Sequence, residues 1–225
     1  MLTWEEVGAL EPIWLNLGGG PNCHPKVDYR HYVSVDLEPR GMWGVAHDLT
    51  TPLPLRDESV ARIHTEDFLE HVTEPQIVAI LAEAHRVLVP GGRMRIGVPD
   101  YNNPKDRFCI ELGRDPRDPR HVTMTTYGLM KRLLDASAFR EARFYQYWEG
   151  ERFVHRAFDP SLGLVKRTPD HDPRSRRRGL RAKLRGLGDD VALLANEGLG
   201  AGLRMMSVRP GHRLHVTSVV VDAFK

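Results

Sequence analysis

Three short segments of this chain carry residue types suited to holding a nucleoside and moving a group on it. Trp14-Leu15-Asn16-Leu17-Gly18-Gly19-Gly20-Pro21-Asn22 is an apolar run that breaks into glycines. Glycine lets backbone approach a ligand closely, and the amides it leaves uncovered suit a carboxylate. Val33-Ser34-Val35-Asp36 is a second apolar run that ends in an acid. A carboxylate there can accept hydrogen bonds from both hydroxyls of a ribose, a strong charge-assisted pair. His64-Thr65-Glu66-Asp67-Phe68-Leu69-Glu70-His71-Val72 gathers imidazoles and carboxylates able to take a proton from an acceptor.

For these segments to meet, they must stand at one edge of a sheet. Strands are expected at Ile13–Leu17, Tyr32–Asp36, Gly44–His47, Val60–His64, Arg93–Val98, Ala142–Trp148 and Leu214–Ala223. Ile77, Ile80, Leu81, Ala84 and Leu88 recur at helical spacing after Thr73-Glu74-Pro75, and Pro90-Gly91-Gly92 ends that helix. Thr125–Ala136 reads as another helix, and a Thr3 cap opens a short one over residues 3–11. Strands alternating with helices predict an α/β fold: a Rossmann-like, doubly wound, mostly parallel seven-stranded sheet. In such a sheet ligands bind at the carboxyl ends of the strands, where the glycines, Asp36 and the 64–72 segment all fall. A late strand could run antiparallel.

Bulk properties narrow the classes. The 225 residues carry 32 Lys+Arg against 30 Asp+Glu, so net charge selects no partner. No apolar run approaches the length of a membrane span, and no secretory leader is evident, so a cytoplasmic protein is expected. Two cysteines, Cys23 and Cys109, are too few for a disulfide framework or a thiolate metal site. NAD is disfavoured twice. Cys23 stands where the last glycine of GxGxxG would be, and only about ten residues separate the glycine turn from the second strand, too few for a crossover helix.

Together these segments resemble the class I S-adenosylmethionine-dependent methyltransferases, most nearly a bacterial subgroup whose domain opens with an LNLGxG-type loop. The resemblance runs over about residues 13–100, with an echo at Thr217–Ala223. It implies S-adenosyl-L-methionine as cofactor, held by Asn16, Gly18, Gly19, Gly20, Asp36, Leu37, Asp48, Leu49 and Thr65. Asn16, Gly18, Gly20 and Asn22 stand at the four places of the family's acid-x-Gly-x-Gly-x-Gly loop, the asparagines departing from the general class. The acid Asp48 would meet the adenine amine and Leu49 pack on its ring; alternatively Asp48 simply caps a turn. His71, Asp67 and Glu66 are the catalytic candidates, with His64 behind them. No metal is assigned, although Asp67-x-x-Glu70-His71 resembles a Glu-x-x-Glu-His set that holds a divalent ion in some methyltransferases. The plainer alternative is that Glu70 and His71 orient the following helix. Val89-Pro90-Gly91-Gly92 matches the family's turn before the fifth strand, and Asp100 and Tyr101 at that strand's end stand on the acceptor side.

The chain is read as a single domain, 1–225, with its core at about 12–148 and 212–225 and a substrate-side insert or lid at about 149–211. Within the insert, nine basic residues from Lys166 to Arg185 are offset only by Asp170 and Asp172. Such a patch suits phosphates, but no aromatic residues interleave with the arginines for base stacking. Leu180, Leu184, Leu187, Val191 and Leu194 form a helix-like stripe, and Asp170-His171-Asp172 and His155 read as polar side chains facing water, with a metal held by the triplet as the alternative. The expected function is methyl transfer to a small-molecule acceptor, an oxygen of a sugar or other metabolite. Nucleic-acid methylation through the 166–185 patch, a non-catalytic nucleoside-binding module, and aminopropyl transfer are the alternatives.

Overall fold

A computed structural model describes residues 1–19, 32–39, 43–104, 106–156 and 218–225. Gly20, Asn22, Cys23, the 166–185 basic stretch, the leucine stripe, the Asp170-His171-Asp172 triplet and most of the proposed lid lie outside the described residues.

Each strand forms where the sequence alternates or runs apolar between glycines, prolines and acids. They are β1 (Ile13–Leu17), β2 (Tyr32–Asp36), β3 (Gly44–Ala46), β4 (Val60–Glu66), β5 (Leu88–Pro99), β6 (Glu141–Glu149), β7 (Arg152–His155) and β8 (Ser218–Phe224). The described residues thus form an eight-stranded mixed sheet, ordered β3-β2-β1-β4-β5-β8-β6-β7, and correct the expectation of seven. β1 to β5 are mutually parallel, while β8 runs antiparallel between β5 and β6. The additional strand is β7, which falls inside the stretch assigned to the insert. It forms because Gly150 takes a left-handed conformation, φ 59°, and folds Arg152 back onto Glu149 in an antiparallel hairpin.

Strand register sorts the side chains into two unlike faces. Leu15, Val33, Ile63, Met94 and Ala223 stand abreast across five strands and belong to the main core. The next row is Asn16, Ser34, His64, Arg95 and Asp222, all buried, on the opposite face. Arg95 forks onto Asp222 through Nε at 2.6 Å and Nη2 at 2.5 Å, and Arg93 lies 3.8 Å from the same carboxylate.

Four helices are described. α1 (Trp4–Gly8) opens with the expected Thr3 cap, in a reciprocal box with Glu6. α2 (Glu74–Val87) starts at Thr73, whose amide donates to Gln76 Oε1 at 2.8 Å, and buries Ile77, Ile80, Leu81, Ala84 and Val87 against the apolar face. It ends one turn before Pro90-Gly91-Gly92, because Leu88 already pairs with Val60. The Pro-Gly-Gly segment is therefore an irregularity within β5, where the β4 register shifts, and no turn ahead of it. α4 (Tyr127–Asp135) lies close to the predicted helix and adds Met130, Leu133 and Leu134 to the same core. α3 (Arg107–Leu112) arises in what reads as a polar loop; Phe108 and Cys109 pack with Tyr101 in a small second core. No described helix is long and apolar enough to cross a membrane.

Candidate active site

The glycine turn stands at the carboxyl edge of β1, beside the carboxyl end of β2. Gly18 has φ 69°, and its amide donates to Val35 O at 2.9 Å, fixing the turn against β2. A Cβ at Gly18 would lie 2.3 Å from Phe68 Cγ, so both backbone and neighbour exclude a side chain there. Phe68 is the first residue beyond the β4 edge that touches the turn, and sequence reasoning passed it over. Gly19 follows, and Gly20 lies outside the described residues. Asn16 is buried in the polar row, one turn of the pleat behind the glycines.

Asp36 ends β2. Its Oδ1 accepts the Glu38 amide at 3.1 Å, which orients the carboxylate at the strand edge, and Leu37 beside it is 70% exposed. Asp48 closes a turn after β3: its Oδ1 accepts from the Thr50 hydroxyl at 2.7 Å and the Thr50 amide at 2.9 Å. Those two bonds hold its carboxyl below the usual aspartate range. The turn-capping role is thus real, and it engages Oδ1 only. Leu49 packs on the edge of the main core.

The segment after β4 diverges into different directions. Thr65 sits between Leu17 and Ile96 on the apolar face, fully buried. Glu66 turns to the polar face, 3.7 Å from His64 Nε2. Asp67 adopts a left-handed backbone, φ 52°, and its amide donates to Gly97 O, which bends the chain off the strand. A 3₁₀ turn, Leu69–His71, then carries Glu70 fully buried and His71 half-buried. Of the catalytic candidates, only His71 joins a cluster: Glu70, His71 and His121 offer ligand-capable atoms within 4.8 Å of one another. Asp67, the first member of the motif read from sequence, is not in that group. His121, fifty positions away, takes its place.

His121 is the residue that sequence reasoning missed. It ends a loop pinned beneath the 3₁₀ turn: the Val122 and Thr123 amides both donate to Glu70 O, and the Thr123 hydroxyl donates to Val72 O at 2.6 Å. His121 Nδ1 lies 2.6 Å from the Tyr101 hydroxyl, which donates to Asp115 Oδ2 at 2.9 Å. Burial and the Asp115 charge push the Tyr101 hydroxyl far above its usual range, keeping it protonated. Arg117 binds Asp115 and Asp106 and so stiffens the loop. Asp100 does not face a substrate space: it is buried, accepting the Trp148 amide at 2.6 Å and the Asn102 amide at 3.1 Å. Burial pushes its carboxyl up to about 7 in spite of those two donors.

Comparison with known proteins agrees with this layout. A methyltransferase-domain family model matches residues 24–96. Among solved structures, an S-adenosylmethionine-dependent methyltransferase from Archaeoglobus fulgidus is 14% identical, with TM-score 0.55 over 94% of this chain and 85% of its own. The fold is that of a methyltransferase. Phosphoethanolamine N-methyltransferase 2 of Haemonchus contortus, solved with S-adenosylhomocysteine and phosphomonomethylethanolamine, gives TM-score 0.54 at 12% identity, over 94% of this chain and 48% of that one. An uncharacterised 37.1 kDa protein in transposon TN4556 of Streptomyces fradiae is 47% identical over 72 residues. That match covers 32% of this chain and spans about a fifth of the relative's length.

Proposed function

We propose that this chain is an S-adenosylmethionine-dependent methyltransferase acting on a small-molecule acceptor, an oxygen of a sugar or comparable metabolite. One observation carries the cofactor reading: the Gly18 turn is tied to β2 by its bond to Val35 O, so the glycine turn and Asp36 both stand at the carboxyl ends of paired neighbouring strands. The residues fit a nucleoside that lacks phosphates, since a glycine turn supplies close backbone and Asp36 an acceptor for two hydroxyls, with no helix dipole needed. Gly18, Gly19, Gly20 and Asp36 would hold the cofactor, with Asn16, Leu37, Asp48, Leu49 and Thr65 around it. Bound there, S-adenosylmethionine supplies an electrophilic methyl group.

The chain's own work is then to orient the acceptor in line with that methyl and to receive a proton. Positioning alone supplies most of the acceleration of such a displacement. His71 is the base candidate, ahead of Asp67 and Glu66, which leave β4 in other directions. The His71 Nδ1 lies 3.2 Å from Arg120 O, so that nitrogen carries the hydrogen and Nε2 the lone pair. Calorimetric titration with S-adenosylmethionine and S-adenosylhomocysteine, with NAD as control, tests the reading. Micromolar binding of the first two alone is expected, followed by transfer of labelled methyl to members of a hydroxyl-bearing acceptor panel. Absence of binding to either compound overturns it.

A further inference from the structure

We propose that Glu70, His71 and His121 form a binding site for one divalent transition ion of the zinc and cobalt type. This inference does not depend on the methyl-transfer reading, and its test reads the metal directly.

Hydrogen bonding fixes which nitrogen each histidine offers. Arg120 O can only accept, so His71 Nδ1 at 3.2 Å must donate to it. The Tyr101 hydroxyl has one proton, which it gives to Asp115, so at 2.6 Å it must accept from His121 Nδ1. Both imidazoles therefore keep an unprotonated Nε2 when neutral. A backbone carbonyl on one ring and a tyrosine oxygen on the other are the outer contacts that orient and strengthen histidine ligands of metals.

The third group is the Glu70 carboxylate, fully buried beside the two imidazoles, where it would give an ion a charged oxygen ligand. His121 Nε2 lies 4.0 Å from Glu70 Oε1, longer than a hydrogen bond. Two ligands on one tetrahedral ion, with bonds of about 2.0–2.1 Å, stand roughly 3.4 Å apart, so seating the ion draws the Glu70–His121 pair together by about 0.6 Å and any wider pair by at most about 1.4 Å. The rings of His71 and His121 meet edge to face with centroids 4.7 Å apart. Asp118 Oδ2 lies 3.5 Å from His121 Nε2 and is held by Arg120, outside the three-residue group. Two imidazoles and a carboxylate suit zinc or cobalt better than magnesium, which prefers oxygen throughout. Phe68, against the glycine turn, directly precedes the 3₁₀ turn that carries two of the ligands, so the ion would lie beyond the carboxyl end of β4.

The experiment uses the purified protein, stripped with chelator and dialysed, titrated with Co2+ and with Zn2+, and with Mg2+ as a hard-ion control. Expected are one equivalent of Co2+ by elemental analysis, a visible cobalt spectrum abolished by Zn2+, and no comparable Mg2+ binding. His71→Asn and His121→Gln should each weaken cobalt binding at least tenfold, and Tyr101→Phe should weaken it through the lost partner of Nδ1. His85→Asn, on the far side of α2, should bind as the parent does. Circular dichroism and unfolding midpoints confirm that each variant is folded before it is scored. A folded parent that retains no Co2+, or binding that survives both ligand substitutions, overturns the proposal.

Discussion

Replacing Gly18 with alanine should damage the cofactor edge in a way that can be divided into two parts. The left-handed backbone at φ 69° costs a residue bearing a Cβ about 1–2 kcal/mol. The new methyl would also sit 2.3, 2.4 and 2.6 Å from three atoms of Phe68, forcing that ring to move, an overpacking cost of about 1–3 kcal/mol. The total, about 2–5 kcal/mol, is a large share of a domain's stability. A double-mutant cycle separates the terms. In a Phe68→Ala background, Gly18→Ala should cost only the backbone part, so the cycle should show a coupling of about 1–3 kcal/mol. Urea denaturation of the four proteins gives the stabilities, and titration with S-adenosylmethionine gives the accompanying affinities. Equal cost of Gly18→Ala in both backgrounds would refute the argument that Phe68 forms the wall of the turn.

Asp36→Ala should weaken S-adenosylmethionine binding by about 1.5–3 kcal/mol, since hydrogen bonds to a charged acceptor are lost; unchanged affinity in calorimetry would remove Asp36 from the ribose. Asp222→Ala should destabilise by about 3–5 kcal/mol, because Arg95, 4% exposed, would keep its charge without its forked partner. The volume-matched pair Arg95→Met with Asp222→Leu should recover most of that loss in denaturant melts, and failure to recover would count against the charge-burial explanation. For Asp100 the folded carboxyl titrates at about 7 against 3.8 for the free group, so the folded state binds the proton more tightly. Its stabilising contribution is complete below pH of about 4 and lost as pH rises towards 7, by about 4 kcal/mol at most. Denaturation between pH 5 and 8 should show that decline, and Asp100→Asn should flatten it; parallel curves for parent and variant would contradict it.

The sheet was readable because its rows are written in local pattern. Leu15, Val33, Ile63 and Met94 each lie within short apolar runs bounded by breakers, so strand existence followed from composition alone. The Thr3 and Thr73 starts were legible for the same reason, each cap being complete within four residues. What failed was nonlocal. α3 is held by Phe108 and Cys109 against Tyr101, a contact with no periodic signature in a run of Pro, Arg and Asp. β7 has only four residues and depends on a turn at Gly150. His121 reaches Glu70 through main-chain bonds from Val122 and Thr123, a pairing across about fifty positions that no spacing rule encodes. The polar row went unread because Arg95 and Asp222 are 127 residues apart in sequence, and each alone resembles an ordinary surface charge.

The place of β8 has a consequence for the order in which the molecule can assemble. Among the described residues β6 meets the parallel part of the sheet through Ser218–Phe224, which pairs with Glu141–Gln146 on one side and Arg93–Pro99 on the other. Until that segment has been synthesised, the outer edge of β5 has no partner and the β6–β7 hairpin has nothing to dock on. The five parallel strands can collapse around α2 early, while the antiparallel part must wait for β8, whose pairing with β5 closes a loop of more than a hundred residues. During that interval the nascent chain exposes two unpaired strand edges, the surfaces that chaperones recognise and that aggregation exploits.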